Sequence, residues 1–414
     1  MLRRVDETVN TAQMADTTRE GNGVPLLRGF DHAVDPEMLH RWPQRWDELR
    51  DATPVFRSDI APWDLWFLMR YDDVAEVFGD PQRFSSRQTL YAVEDTHRWI
   101  PSGVDPPDHT FYRQLLNPLF SRSAVEARER VMRVRMRELV DSVAYRGECD
   151  FMADVALQFP TAVYMQIMGM PLEDLETFLG WSRLLLHTSA AQDPDGSIRV
   201  DAARTVYRYT RQLVADRKLA PADDIVSALL RAEVDGRRLT DAEIVEIGYL
   251  LFTAGMDTVA GTLGYMFAHL AGDDQLRSLV SSQPESIPDV VEELLRLYGI
   301  ASMARVVQCD TEIAGCPVKA GDRVVLVTSA ANRDPSRFEQ PTECVVGREH
   351  NRHLTFGGGI HRCLGATLAR AELRIALEEW HRQVPHYRIA ADADLTSHVG
   401  GAAGYHRLAL EWAR

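Results

Sequence analysis

The sequence predicts a mainly α protein with a minor β component. Three observations lead there. Apolar residues three and four apart dominate from about Asp108 to Leu297, the spacing of helix faces. Short alternating runs occur near the start and beyond residue 300, as in brief strands. Pro and Gly form short clusters, with no repeat, low-complexity linker or domain seam. With 414 residues, 45% of them hydrophobic, the chain can bury a large core. The expectation is a flexible tail over 1–22 and one domain over 23–414.

The polar N-terminus "MLRRVDETVNTAQMADTTREGNG" has no apolar core, so it reads as neither signal peptide nor anchor. "APWDLWFLMRYDDVAEVFGDP" reads as a strand followed by a helix from Asp72 to Gly79. "DPPDHTFYRQLLNPLF" reads as a helix start, with Pro106 and Pro107 in the first turn. "DTEIAGCPVKAGDRVVLVTSAANRDP" reads as short strands turning at Gly315 and Gly321. "LEEWHRQVPHYRIA" ends a helix near Pro385 and begins a strand, and "LTSHVGGAAGYHRLALEW" reads as a hairpin.

Charge and cysteines narrow the class. A net charge of -15 argues against nucleic-acid binding by the whole surface. No continuous apolar run suggests a membrane span. The five cysteines (Cys149, Cys309, Cys316, Cys344 and Cys363) lack CxxC spacing, which suits free thiols in a reducing, cytoplasmic setting.

Two segments carry chemistry. "TDAEIVEIGYLLFTAGMDTVAGTLGYMFAHLAG" opens with a Thr240–Glu243 capping box and reads as one uninterrupted helix to Gly272. At about 1.5 Å per residue it spans roughly 45 Å. It is apolar nearly all round, which predicts burial, yet Asp257 and Thr258 sit in its middle. Gly255 and Gly261 flank them and leave room for a flat ligand to approach the backbone. Thr258 could bond a carbonyl one turn back and open the helix locally. A buried, salt-bridged aspartate with only a structural role fits this segment equally well.

The second segment is "HLTFGGGIHRCLGATLARAE". Gly357, Gly358 and Gly359 allow a tight turn before Cys363, and the helix opens at Leu364 and Gly365. A thiol at a helix N-terminus is favoured as thiolate. A cysteine hydrolase lacks a recognisable local pattern here, and zinc lacks further ligands at short spacing. One thiolate suits a metal whose other ligands come from a macrocycle. A small buried residue in a glycine turn is the plain alternative.

Together these residues resemble the cytochrome P-450 superfamily. Phe356, Gly359, Cys363 and Gly365 are similar to its FxxGxxxCxG haem-binding signature. Ala254-Gly255-Met256-Asp257-Thr258 resembles its oxygen-binding segment, and Glu293 and Arg296 resemble its ExxR pair. "AANRDP" and "DPPDHTFYR" also resemble family segments, in family order, and the likeness covers about Asp31 to the C-terminus. It implies the family's triangular, helix-rich single domain, with haem between the long central helix and the Cys-loop helix.

The resemblance implies a bacterial-type haem-thiolate monooxygenase using haem b, O2 and a small apolar organic substrate that is terpenoid-, steroid- or natural-product-like. Electrons would come from a separate ferredoxin-type donor, docking near Arg352, Arg362 and Arg370. Cys363 would be the axial iron ligand, with Phe356 and Gly359 around the sulfur and Ala254 and Gly255 against the cofactor. His109, Arg113, Arg305 and His361 would hold the propionates. Asp257 and Thr258 would deliver protons for oxygen activation. Glu293, Arg296 and Arg348 would form the structural ion pair; "PTEC", Pro341 to Cys344, departs from the family pattern and leaves the third partner open. Tyr91, His97, Trp99, Leu185, Leu251, Phe252, Ala301, Ser302 and Ala402 fall at substrate-recognition positions. The same oxidant could instead serve a tailoring reaction such as desaturation, coupling or ring formation. A non-catalytic haem sensor is the rival of a different class, against which Asp257 and Thr258 argue.

Overall fold

The computed structural model describes residues 17–19, 24–60, 65–87, 98–189 and 192–413. Its largest sheet has seven strands: β1 (Thr17–Arg19), β2 (Pro25–Leu27), β3 (Val55–Ser58), β4 (Leu65–Leu68), β5 (Phe84–Ser85), β6 (Ser302–Val307) and β7 (Arg323–Val327). The order is β1-β2-β3-β4-β7-β6-β5. Parallel pairing of β4 with β7 places Leu65 opposite Arg323 and joins the two β-rich stretches of the sequence. Strand β1 pairs with β2 and lies inside the span read as a tail.

Helices make up the rest. Tyr71–Gly79 (α1) follows β4, as the aromatic-rich segment predicts, and Asp108–Leu116 (α2) starts directly after Pro107. Leu175–Leu186 (α3) ends at His187. Ile287–Leu297 (α6) carries the ExxR pair, and Ala366–Gln383 (α7) follows the cysteine loop. The C-terminal hairpin forms as expected, with β8 (Ser397–His398) pairing antiparallel to β9 (Gly404–Tyr405). The largest core cluster takes residues from α2, α3, α6 and α7, whereas Tyr71, Val74, Val77 and Phe78 of α1 pack in a separate cluster with the sheet.

The central helix departs from the expectation. It is two helices, α4 (Asp241–Gly255) and α5 (Asp257–Gly272), broken at Met256. The cause is local: the Thr258 hydroxyl donates to the Ala254 carbonyl at 2.8 Å, taking an oxygen the helix ladder would otherwise use. The Thr240–Glu243 capping box starts α4 as read, with Thr240 N–H donating to Glu243 Oε2 at 2.8 Å. Asp241–Gly272 is apolar and long enough to cross a membrane by composition, yet 61% of its most apolar window is buried in the fold.

Candidate functional site

The cysteine loop is shaped by backbone demands. Gly359 has φ +60°, and a Cβ there would lie 2.1 Å from the Phe78 carbonyl oxygen at the end of α1. Only glycine fits that approach. Cys363 N–H donates to the Phe356 carbonyl at 2.8 Å, closing the loop so that the thiol stands at the foot of α7. Leu354 N–H donates to Asn332 Oδ1 at 2.6 Å, and Asn332 Nδ2 donates to Thr355 Oγ1 at 2.8 Å. The Arg370 guanidinium lies 4.4 Å over the Phe356 ring.

Cys363 is exposed, although protein surrounds its loop. Burial pushes the thiol's pKa up, while the Gly365 N–H and the charges of Arg113, Arg362 and Arg370 pull it down. Burial wins in the protein alone. A bound metal ion reverses that balance, because a coordinating thiol is deprotonated outright.

Four basic groups gather beside this loop. The His109 and His361 rings are 4.1 Å apart between centroids. Nε2 of His109 and both nitrogens of His361 are buried with no hydrogen-bond partner. Burial, then the nearby His109, Arg305 and Arg113, push the His361 pKa down to about 3. His109 is pushed to about 4, chiefly by burial and then by Arg113. Arg305 is buried and lowered to about 10 by the same loss of water, with one hydrogen bond, to the Ala304 carbonyl at 2.7 Å. Asp105 is the acid whose charge reaches His109 and Arg305, but it accepts hydrogen bonds from Ser85 and Ser86 instead, so this much unmatched donor capacity calls for a dianionic ligand. A haem with two propionates beside a cysteine thiolate fits this donor set.

At the helix break Ala254 and Gly255 are exposed, and a Cβ on Gly255 would meet nothing within 4 Å. Gly261 is different: a Cβ there would lie 2.5 Å from the Ala403 carbonyl. Its small size serves packing against the C-terminal hairpin, not a ligand. Asp257 is not isolated. His187 Nε2 lies 2.8 Å from Asp257 Oδ1. Burial opposes ionisation of Asp257, but the His187 hydrogen bond and charge outweigh it and keep the pKa low. Neither His187 nor its neighbour His398 stands out in the sequence, because both lie far along the chain from Asp257 and share no motif spacing with it.

The ExxR pair is fully buried. Arg296 donates to Glu293 at 2.8 and 3.0 Å and also reaches the Asn332, Pro341 and Glu343 carbonyls. Arg348 Nη2 lies 3.0 Å from Glu293 Oε1, and Asn351 donates at 3.1 Å to the other oxygen. No motif in the sequence marks Asn351 as a partner of this pair.

The candidate substrate positions scatter. Tyr91 and His97 lie outside the described residues. Trp99 packs on Tyr249 of α4, with ring centroids 5.4 Å apart. Leu185 and Leu251 are half-buried against the main core. Phe252 is fully buried, 5.9 Å from the Tyr164 ring and 6.0 Å from the Phe178 ring, so it fills the core. Ala301 and Ala402 face each other in a β-bridge, and Ser302 N–H donates to Gly401 at 3.1 Å. Of the three arginines read as a docking face, Arg352 and Arg362 are exposed, whereas Arg370 is engaged by Glu292 at 2.9 Å.

Comparison with known proteins agrees with this geometry. The cytochrome P450 family model matches residues 286–380, which hold the ExxR helix and the cysteine loop. A steroid C26-monooxygenase of Mycobacterium tuberculosis is 34% identical over 90% of this chain and 92% of its own length. A nocardicin C N-oxygenase of Nocardia uniformis subsp. tsuyamanensis is 35% identical over 86% of this chain and 91% of its own. Among solved structures, the cytochrome P450 PksS of the Bacillus subtilis 168 bacillaene polyketide synthase superposes with a TM-score of 0.85. It is 29% identical, covering 93% of this chain and 100% of that one.

Proposed function

From the premise that this chain belongs to the cytochrome P450 superfamily, we propose a monooxygenase for terpenoid-, steroid- or natural-product-like molecules. The family assigns a haem-thiolate iron cofactor and an oxidoreductase that acts on organic molecules with O2. The finer reading is haem b, a ferredoxin-type electron donor and a cytoplasmic site of action. The observation that carries the haem reading is the basic cluster of His109, Arg113, Arg305 and His361 beside Cys363, in which both histidines have buried ring nitrogens without a partner. Relatives that oxygenate steroids and nocardicin C support the substrate class.

When bound, the haem iron with its thiolate ligand supplies oxygen activation. Everything else falls to the chain. The Cys363 thiolate would hold the iron, its loop set by the hydrogen bond to the Phe356 carbonyl and by the Gly359 turn. His109, Arg113, Arg305 and His361 neutralise the propionates. Ala254 and Gly255 offer an exposed ledge with nothing larger than a methyl group to obstruct a flat ligand. Thr258 presents a hydroxyl at the break, and Asp257 holds and passes the protons that oxygen activation consumes. Arg352 and Arg362 remain free to face an acidic donor protein.

The test is turnover with NAD(P)H and surrogate ferredoxin partners, on compounds chosen by optical titration of the ferric protein. Product carrying one oxygen atom from labelled O2 supports the reading. Desaturated or coupled product without label would point to the tailoring chemistry. Loaded haem with no product from any compound that shifts the spectrum would contradict catalysis and favour a sensor.

A further inference from the structure

The C-terminal hairpin places a second histidine beside Asp257. One donor atom each from His187, Asp257 and His398 lie within 4.8 Å of one another. The His187 and His398 rings are 4.6 Å apart between centroids, and His398 and His406 are 5.3 Å apart. His406 is exposed, His398 and His187 are half-buried, and Asp257 is the innermost. Both ring nitrogens of His398 are buried with no hydrogen-bond partner.

The His398 ring is held in place. A Cβ on Gly404 would lie 2.7 Å from His398 Cε1 and 3.0 Å from Nε2, so β9 lies directly against the imidazole. Ser397, next to it, accepts from Tyr265 of α5 at 2.8 Å, and Tyr265 accepts from Trp42 at 2.8 Å. These buried bonds tie the hairpin to the helix that carries Asp257. An imidazole gripped this way, with neither nitrogen used structurally, is placed for exchange with water or a neighbouring ring.

A metal site is the obvious rival for two histidines and a carboxylate. The distances decide against it. Two ligands of one tetrahedral zinc at about 2.0–2.1 Å stand about 3.3 Å apart. His187 and Asp257 are 2.8 Å apart, the length of a charge-assisted hydrogen bond. A shared proton closes this gap, not a cation.

We propose that His406, His398 and His187 form an imidazole relay that carries protons from bulk water to Asp257 during turnover. The proposal rests on the assignment of Asp257 and Thr258 to proton delivery. In each step the proton on His187 Nε2 passes to Asp257 Oδ1, leaving neutral His187. A proton from solvent, passed through His406 and His398 and across single bridging waters, restores it. No electron moves, and each proton delivered inward is matched by one taken from solvent.

The electrostatics agree with those roles. Burial works against a charged His187, and Arg183 on the same helix adds to that, yet the hydrogen bond and charge of Asp257 leave its pKa raised. His187 therefore holds its proton more tightly than a free imidazole does. His398 is pushed down to about 4 by burial, against the pull of Asp257 and with further push from His187 and His406. It passes a proton without retaining it. His406 is lowered by burial and His187, against Asp394, which itself faces His40.

The experiment compares wild type with His187→Gln, His398→Gln and Asp257→Asn. Glutamine can still donate a hydrogen bond to Asp257 but cannot carry a proton, so it separates a relay from a positioning contact. The first readout is product formed with O2 and NAD(P)H relative to product formed with hydrogen peroxide, which brings its own protons. The relay predicts that this ratio falls about tenfold in both glutamine variants, and that the wild-type decline of coupling with rising pH is lost in His187→Gln. The second readout is independent of activity: NMR titration of 15N-histidine in the ferrous–CO holoenzyme. It should show His187 titrating above its ordinary 6.5 and falling in Asp257→Asn. Wild-type coupling and pH profile in His187→Gln, with Asp257→Asn uncoupled, would overturn the relay and leave the Asp257 assignment standing. Coupling intact in all three variants would overturn that assignment too. A His187 that stays neutral from pH 5 to 8 would likewise overturn the relay.

Discussion

The cysteine loop and the helix break are the two segments proposed to carry the chemistry, and they are built in opposite ways. The loop is contiguous in sequence and held by backbone: a glycine with no room for a Cβ, a Cys363 N–H on a carbonyl, and an asparagine holding Leu354 and Thr355. Its main ionised partner beneath α7, Glu292, sits far from neutrality. Burial opposes its charge, but His353 and Arg370 hold its pKa at about 2. The break is held by side chains from distant segments, through Thr258 on Ala254 and His187 on Asp257. There the shared hydrogen bond and charge raise the His187 pKa and lower that of Asp257. The loop is fixed as the proposed metal ligand requires; the break is held by titratable side chains, as the proposed proton delivery requires.

That contrast is sharpened first by breaking the frame behind the loop. Glu293→Ala leaves Arg296 and Arg348 buried without their carboxylate, which should cost about 3–5 kcal/mol of unfolding free energy. Denaturant titration measures it, and a loss below ~1 kcal/mol would mean the frame is not what fixes the loop. Gly359→Ala comes next. The positive φ alone should cost about 1–3 kcal/mol, and Phe78 must shift, so haem retention on gel filtration should drop.

At the helix break the effects should be catalytic, not structural. Thr258→Ala should keep stability and haem content while coupling falls on the order of tenfold, with electrons diverted to peroxide. Unchanged coupling would remove the hydroxyl from proton delivery. The smallest effect is a pH signature. Glu292 has a depressed folded pKa, so its stabilising contribution is present above its ordinary 4.5 and is lost as pH falls toward about 2. Glu292→Gln should therefore flatten acid unfolding in that window. The His187–Asp257 pair runs the other way. His187 has a raised folded pKa, so its contribution is full below 6.5 and fades as pH rises through the raised value. Stability of His187→Gln should differ from wild type at pH 6 and converge with it at higher pH.

How much of this was legible in the sequence follows the same division. The loop, its glycines, the ExxR spacing and Thr258's bond to a carbonyl one turn back are local patterns, written in neighbouring residues. Strand β4 with its following helix and the C-terminal hairpin were legible for the same reason. The break at Met256 was half legible: Gly255 and Thr258 allow a local opening, but the apolar run on both sides reads as one continuous helix. Partners across the fold were hidden too: His187, His398 and Asn351 meet their carboxylates only through tertiary packing. Phe252 reads as a pocket residue by position, yet burial among Tyr164 and Phe178 claims it for the core. Arg370 reads as surface charge until Glu292 is seen beside it.

The central claim is that Cys363 binds haem iron as a thiolate in a frame built for it. The most direct test is the ferrous–CO spectrum of the reconstituted wild type beside Cys363→Ser. The account predicts the long-wavelength Soret band of a thiolate-ligated haem in wild type and its loss in the serine variant, with the fold intact by circular dichroism. The same band in both proteins, or no haem bound by a folded wild type, would contradict it.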